Sequence, residues 1–237
     1  MSRLGHRVGA VLAIVGGVVA LVGNALAPRT TGDDVDIYRE VADSTRFAIA
    51  GAIVLVAVIL VTAAFVSITR SDLIGPAAEV AFYGRLAAVV GGSMAILQSG
   101  LALYGYRQQA RLFRGADAHN VVSAFWATSA LDHISSALFA TWTLVFLGVA
   151  PILIGAAQLQ GHVTGRLGLG AVVGGAICVF VGFASLLKED QSTYDIPFAI
   201  GSVIVTLWLL MTGIVWWRRT RTETEGGEAP ASGLRTT

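Results

Sequence analysis

The chain has 237 residues, of which 55% are hydrophobic and 13% charged, and a formal net charge of +1 at neutral pH. A soluble domain carries about 25% charged residues, so this chain lacks the polar cover that a water-exposed surface needs, and its charge balance excludes the basic face of a nucleic-acid binder. The one cysteine, Cys178, sits in an apolar stretch and excludes both an intrachain disulfide and a cysteine-based metal site.

A membrane span needs about 20 mostly apolar residues. Six stretches qualify in chain order: Val8–Ala27, Arg46–Thr69, Val80–Tyr104, Ile134–Ala157, Leu167–Leu187 and Ile196–Trp217. Backbone polar groups in lipid must be satisfied within the segment, and no alternating barrel pattern is present, so each stretch is expected to be a helix. The fold class is therefore all-α: a polytopic transmembrane helix bundle of six spans over residues 1–217, followed by a disordered cytoplasmic tail at 218–237. Ala25 and Ala27 before Pro28 resemble a signal-peptidase site, but the first stretch is long enough to span and five more follow, which favours a retained helix.

Local punctuation agrees with helices. The first connection, "PRTTGDDVDIYREVADS", is read as an acidic external loop. Pro76 opens the third helix, and Asp195 before Ile196-Pro197 reads as an N-cap with proline in the first turn. Pro151, inside the fourth apolar stretch, predicts a kink. Gly170 and Gly174 stand four apart in "GRLGLGAVVGGA", the spacing that lets membrane helices approach closely, and a homo-oligomer through such glycine-rich faces is expected. The same run is no nucleotide loop, because no strand precedes it.

Arginine bias sets the orientation. Arg3 and Arg7 precede the first span; Arg218, Arg219 and Arg221 follow the last. Both termini are therefore expected in the cytoplasm, with the chain threaded through the plasma membrane an even number of times. Arg70 and Arg166 lie on internal connections, and "KEDQSTYD" is acidic and external. The third connection, from Tyr106 to His133, breaks the rule, because it places Arg107, Arg111 and Arg114 outside. A seventh span there would expel the C-terminal arginines instead. The expectation is an external amphipathic element over Gln108–Leu131, lying along or dipping into the interface, with the three arginines on one face at i, i+4 and i+7.

This order of segments resembles the DUF4386 family of bacterial membrane proteins. The match runs over most of residues 5–215: a short basic start, an acidic external connection before "VADSTRFAIAGAIVLVAVILVTAAFVSITR", a third span with Arg85 near its start, and "LDHISSALFATWTLVFLGVAPILIGAAQLQGHVTGRLGLGAVVGG". The family often has "DAH" where this chain has Leu131-Asp132-His133, and a Pro-Arg pair where it has Gly165-Arg166. The resemblance implies six helices and no known chemistry.

Asp132 and His133 form the sharpest polar pair. Ionisable residues in a membrane helix are functional candidates by default, and histidine titrates near neutral pH. Ser129, Asp132 and Ser136 share a helix face with them. The pair reads either as a ligand-binding or proton-responsive site at the mouth of span four or as a cap in contact with water. Arg107, Arg111 and Arg114 read either as a site for a headgroup or substrate phosphate or as interfacial residues reaching toward lipid headgroups. Arg85 pairs with Glu79, snorkels, or takes part in transport. Gln98 and Ser99 are expected to bond between helices. Asp117 and His119, with Asp132 and His133, are metal-type side chains at a spacing that fits no compact metal motif. Paired haem ligation needs a partner on another helix, and the remaining histidines, His6 and His162, sit too far away on the cytoplasmic side; Lys188 sits at a helix end rather than at mid-membrane, so no cofactor is expected. No catalytic motif is present. The expected function is non-enzymatic binding of a lipid, a small hydrophobic ligand or a partner membrane protein. The alternatives are a small transporter or proton-coupled channel, and a lipid-modifying enzyme using Asp132 and His133.

Overall fold

Each of the six apolar stretches forms a helix in the computed structural model, which describes residues 3–26, 34–70, 75–161, 166–187 and 194–225. The helices are α1 (Arg3–Leu26), α2 (Asp34–Asp43), α3 (Thr45–Ile68), α4 (Pro76–Gly100), α5 (Arg107–Arg114), α6 (Val121–Trp142), α7 (Ala150–Gln160), α8 (Leu167–Leu187) and α9 (Asp195–Glu225). Two π-helical turns, Leu101–Tyr106 and Thr143–Val149, join α4 to α5 and α6 to α7 without a break. No strand occurs among the described residues. Six of the resulting helical units are long and apolar enough to cross a membrane, which makes this a multi-pass integral membrane protein. Large apolar side chains stay exposed along them, among them Val15, Val56, Leu86, Leu97, Phe180 and Leu207, as a lipid-facing surface requires.

The start of α1 and the C-terminal part of α9 lie at one end of the bundle. The His6 and Trp216 rings meet edge to face, with centroids 5.5 Å apart, and Arg7 Nη2 donates to the Thr220 carbonyl. The last helix continues to Glu225, so the disorder expected from Arg218 onward does not hold over 218–225. The rest of the expected tail, 226–237, lies outside the described residues, as do His162, Gly165 and Lys188.

The third and fourth helical units are the longest of the six. Pro76–Arg114 and Val121–Gln160 are continuous helical units of 39 and 40 residues. At 1.5 Å per residue each is roughly 60 Å long, about twice the ~30 Å hydrocarbon core. The amphipathic element expected between them is a helical hairpin made by α5, which continues span three through the π-helical turn, and the start of α6. The first connection is no loop, because α2 forms within it. The kink expected at Pro151 takes the form of the π-helical turn just before it. Proline lacks an N–H and its ring crowds the carbonyl four residues back, and a widened turn relieves both.

Aromatic packing and glycine contacts bind the spans together. Phe65 of α3, Phe146 and Trp208 of α9 form the centre, with ring centroids 5.4 Å and 5.8 Å from Phe65. Gly168, Gly175 and Gly182 lie seven apart on α8 and meet span four backbone to backbone. A Cβ at Gly168 would stand 2.5 Å from the Gly155 carbonyl oxygen, and one at Gly175 2.7 Å from that of Gly148. Gly174 faces α9, where its Cβ would stand 2.8 Å from Ile204. The glycine face that sequence offered for self-association thus packs inside the chain at Gly174, while Gly170 has only ordinary clearance, 3.7 Å to Trp208.

Candidate functional site

The helix α2 forms because its acidic residues Asp34 and Asp36 stand in the first turn, where the helix dipole favours negative charge, and because Tyr38, Val41 and Ala42 share one apolar face. That face packs on Tyr106, Ala110 and Phe113 of the hairpin. Tyr38 is 1% exposed, and its ring meets Tyr106 and Phe113 edge to face, at centroid distances of 5.9 Å and 6.0 Å.

The three arginines that break the charge rule hold the other end of α2. Arg111 Nε donates to the Ala42 carbonyl at 3.2 Å, Arg107 Nη2 donates to the Ser44 carbonyl at 3.3 Å, and Arg114 pairs with the Asp43 carboxylate. The last carbonyls of a helix have no partners of their own and carry partial negative charge, so guanidinium groups satisfy and stabilise them. Their common face at i, i+4 and i+7 is as expected, but it meets a helix end of the same chain. Arg46 repeats the device, donating from Nε to the Leu26 carbonyl at the end of α1, 3.0 Å away.

Beneath α2 lies the Asp-His region. Ser129 is buried near the Tyr38 side chain. Burial raises the Tyr38 phenol above its ordinary range; the nearby Ser129 opposes this, and the Asp132 and Asp34 carboxylates add to it. His133 is exposed, and its Nδ1 donates to the Ser129 carbonyl of its own helix at 2.7 Å. A carbonyl only accepts, so this contact places a proton on Nδ1. Asp132 is half-buried beside the tyrosines. Ser136 shares the helix but Ser135 makes the interhelical bond, accepting from the Gln98 amide at 3.1 Å. Ser99 is buried. The arginines and His133 are directed to different partners and do not converge on one substrate position.

The remaining expected residues have local roles. The Arg85 guanidinium lies over the Phe82 ring, 5.5 Å from its centroid, and no Arg85–Glu79 ion pair occurs among the described residues. Asp117 closes the turn before α6, its carboxylate accepting from the backbone N–H of His119 and of Asn120 at 3.1 Å and 3.0 Å. His119 is exposed at the hairpin tip. No group of three or more metal-type side chains gathers among the described residues.

Sequence reasoning missed a cavity within the bundle. It is small, about 60 Å³ in volume, and lies between α1, α3, the π-helical turn of span four and α9. Ala57, Trp142, Phe146, Phe198, Ser202 and Thr206 are in its wall, which is almost wholly apolar. Ser202 and Thr206 donate their hydroxyl protons to the Ala199 and Ser202 carbonyls, leaving only lone pairs for a guest. Trp142 is 7% exposed, and its indole N–H has no partner among the described residues. The available signal was Ser202 and Thr206, four apart in an apolar helix. A second buried polar contact, between Trp208 Nε1–H and the Gln158 side-chain oxygen at 3.1 Å, ties α9 to α7. No protein-family model, curated protein or solved structure matches the chain.

Proposed function

We propose that this multi-pass protein is non-enzymatic and binds a lipid or small hydrophobic molecule inside its bundle. The observation that carries this reading is the apolar cavity beside the aromatic centre. Its lining is almost wholly apolar, and ligand sites form preferentially between helices of a bundle. An apolar cavity of this kind stays dry and accepts apolar guests. Neither enzymatic nor transport chemistry gains support from the polar residues, whose groups serve helix ends and turns. The test is native mass spectrometry of protein released from native lipid, comparing the wild type with Ala57→Phe, which fills the cavity. A hydrophobic species carried by the wild type and lost in Ala57→Phe at equal folded yield supports the reading. The same species on both proteins, or on neither, refutes it.

The proposal includes threading through the plasma membrane with both termini in the cytoplasm, as arginine bias favours, and an affiliation with the DUF4386 layout. Ser123 lies on the hairpin, and in this threading it faces outward. A cysteine placed there in a Cys178→Ser background is labelled by an impermeant reagent from outside intact cells; labelling only after permeabilisation reverses the orientation.

A further inference from the structure

Three helix ends meet where arginines gather. Gly9 of α1 touches two neighbours at once: a Cβ there would stand 3.0 Å from the Ser67 Cβ of α3 and 3.5 Å from the Trp216 ring of α9. Arg70 lies three residues beyond Ser67, and Arg219 three residues beyond Trp216. Each is thus about one turn, roughly 5 Å, further toward the same end of the bundle. Arg7 stands two residues before Gly9, and its Nη2 donates to the Thr220 carbonyl at 3.5 Å, which holds α1 against α9 at that height. Arginines from three helices therefore share one level.

Two of these arginines have no protein partner. Around α2, Arg46, Arg107 and Arg111 donate to carbonyls and Arg114 pairs with Asp43. Arg70 and Arg219 are exposed, and their guanidinium groups make no hydrogen bond or ion pair among the described residues. Arg218 is also exposed, and Arg221 lies over the Trp217 ring, 5.6 Å from its centroid. Against Arg3, Arg7, Arg70, Arg218, Arg219 and Arg221, the described ends of α1, α3 and α9 carry the carboxylates of Glu223 and Glu225. Like charges gathered this way repel, and a bound anion relieves the repulsion.

Depth identifies the anion. The apolar unit Asp195–Thr222 has 28 residues, so it is roughly 40 Å long and its ends pass the ~30 Å hydrocarbon core into the headgroup layer. Trp216 and Trp217 precede Arg219 at the boundary that such rings favour. Lipid phosphate is the anion found there, and guanidinium groups bind phosphate through paired hydrogen bonds. Setting the orientation of the chain needs positive charge on this side, but not unpartnered guanidinium groups from two helices at one level. We propose that Arg70 and Arg219, with Arg7 of α1 beside them, form a site for the phosphate headgroup of an anionic phospholipid where α1, α3 and α9 meet. The site lies at the end of the bundle away from α2 and is independent of the cavity.

The test uses the full-length protein in detergent micelles containing equal amounts of phosphatidylglycerol and phosphatidylcholine with matched chains. Lipid retained through affinity purification is counted by mass spectrometry. The wild type is expected to retain phosphatidylglycerol over phosphatidylcholine by about tenfold or more. Arg70→Gln and Arg219→Gln are each expected to lower that ratio about fivefold, the factor one arginine contributes near an anionic surface. Arg39→Gln, at an exposed position of α2, is the control and leaves the ratio unchanged. Arg7 is left intact because it also ties α1 to α9. Equal retention of the two lipids by the wild type overturns the proposal. A ratio unchanged in both variants, or lowered as much by Arg39→Gln, overturns the assignment to this end of the bundle. Release of phosphatidylglycerol by inorganic phosphate at constant ionic strength overturns the lipid as occupant. Should neither variant be recovered folded, salt decides for the wild type. Raising it from about 0.1 M to about 1 M shortens the screening length from about 10 Å to about 3 Å, so the ratio falls toward one; an unchanged ratio overturns the proposal.

Discussion

Arg111 donates from Nε to the carbonyl of Ala42, 3.2 Å away, and so ties the end of span three to the last turn of α2. The contact spans nearly seventy positions of sequence, with Arg107 and Arg114 on either side of it. Cations at a helix C-terminus contribute roughly 0.3–1 kcal/mol each when exposed. Arg111→Ala is therefore expected to weaken α2 docking by about 1 kcal/mol. Amide hydrogen exchange over Asp34–Asp43 rises about fivefold, while exchange in α8 stays unchanged. Equal protection of α2 in both proteins contradicts the clamp.

Tyr38 separates ring packing from the phenol hydroxyl at the same interface. Tyr38→Ala removes a fully buried ring that meets Tyr106 and Phe113, at a cost of about 3–5 kcal/mol by analogy with other aromatic truncations. Limited proteolysis should then cut within α2. Tyr38→Phe keeps the ring, loses only the phenol hydroxyl, and should cost about 1 kcal/mol or less, leaving α2 resistant.

The direction of the Tyr38 shift fixes a pH dependence. The folded phenol titrates above its ordinary value because burial disfavours the phenolate. Its stabilising contribution is then fully present below the unfolded value of about 10 and is lost as pH rises from there through the folded value. Tyrosinate absorbance and α2 hydrogen exchange followed together in alkali should rise together. Ionisation of Tyr38 at its ordinary value without loss of α2 docking contradicts this.

Much of this architecture is legible in the residues. Apolar length located all six spans, and Pro151 marked the irregular turn in the fourth. The arginine face at 107, 111 and 114 was visible as a period. Its partner was not, because α2 is a short, mostly polar helix read as loop, and the contact is distant in sequence. The signal for α2 was there in Asp34 and Asp36 ahead of Tyr38, Val41 and Ala42, an acidic first turn leading an apolar face. Asp132 and His133 drew attention because charge in an apolar run is conspicuous. The cavity escaped notice because a void between four helices depends on side-chain packing, which no single segment encodes. Gln98 was read correctly as an interhelical donor, but its acceptor is Ser135 rather than a residue of the Ser129–Asp132–Ser136 face.

Backbone contact between α8 and span four predicts sharp position dependence among glycines. A Cβ at Gly175 would stand 2.7 Å from the Gly148 carbonyl oxygen, whereas nothing lies within 4 Å of one at Gly100. Gly175→Val should prevent α8 from seating and abolish the monodisperse folded fraction on size exclusion. Gly100→Ala should be neutral or stabilise by about 0.5–1 kcal/mol through helix propensity.

The Trp208–Gln158 bond can be weighed by a double-mutant cycle with Trp208→Phe and Gln158→Leu. Interhelical hydrogen bonds in membranes average about 0.6 kcal/mol and reach about 1.7. A coupling in that range is expected from unfolding in mixed detergents; zero coupling means that the bond at 3.1 Å adds packing alone.

The central claim is that the cavity between α1, α3, span four and α9 holds a hydrophobic guest. A density map of the full-length protein in lipid carried over from the native membrane tests it most directly. The account predicts non-protein density against Trp142, Phe146 and Phe198. Those three side chains closed onto α3, with no density between them and no remaining cavity, would contradict it.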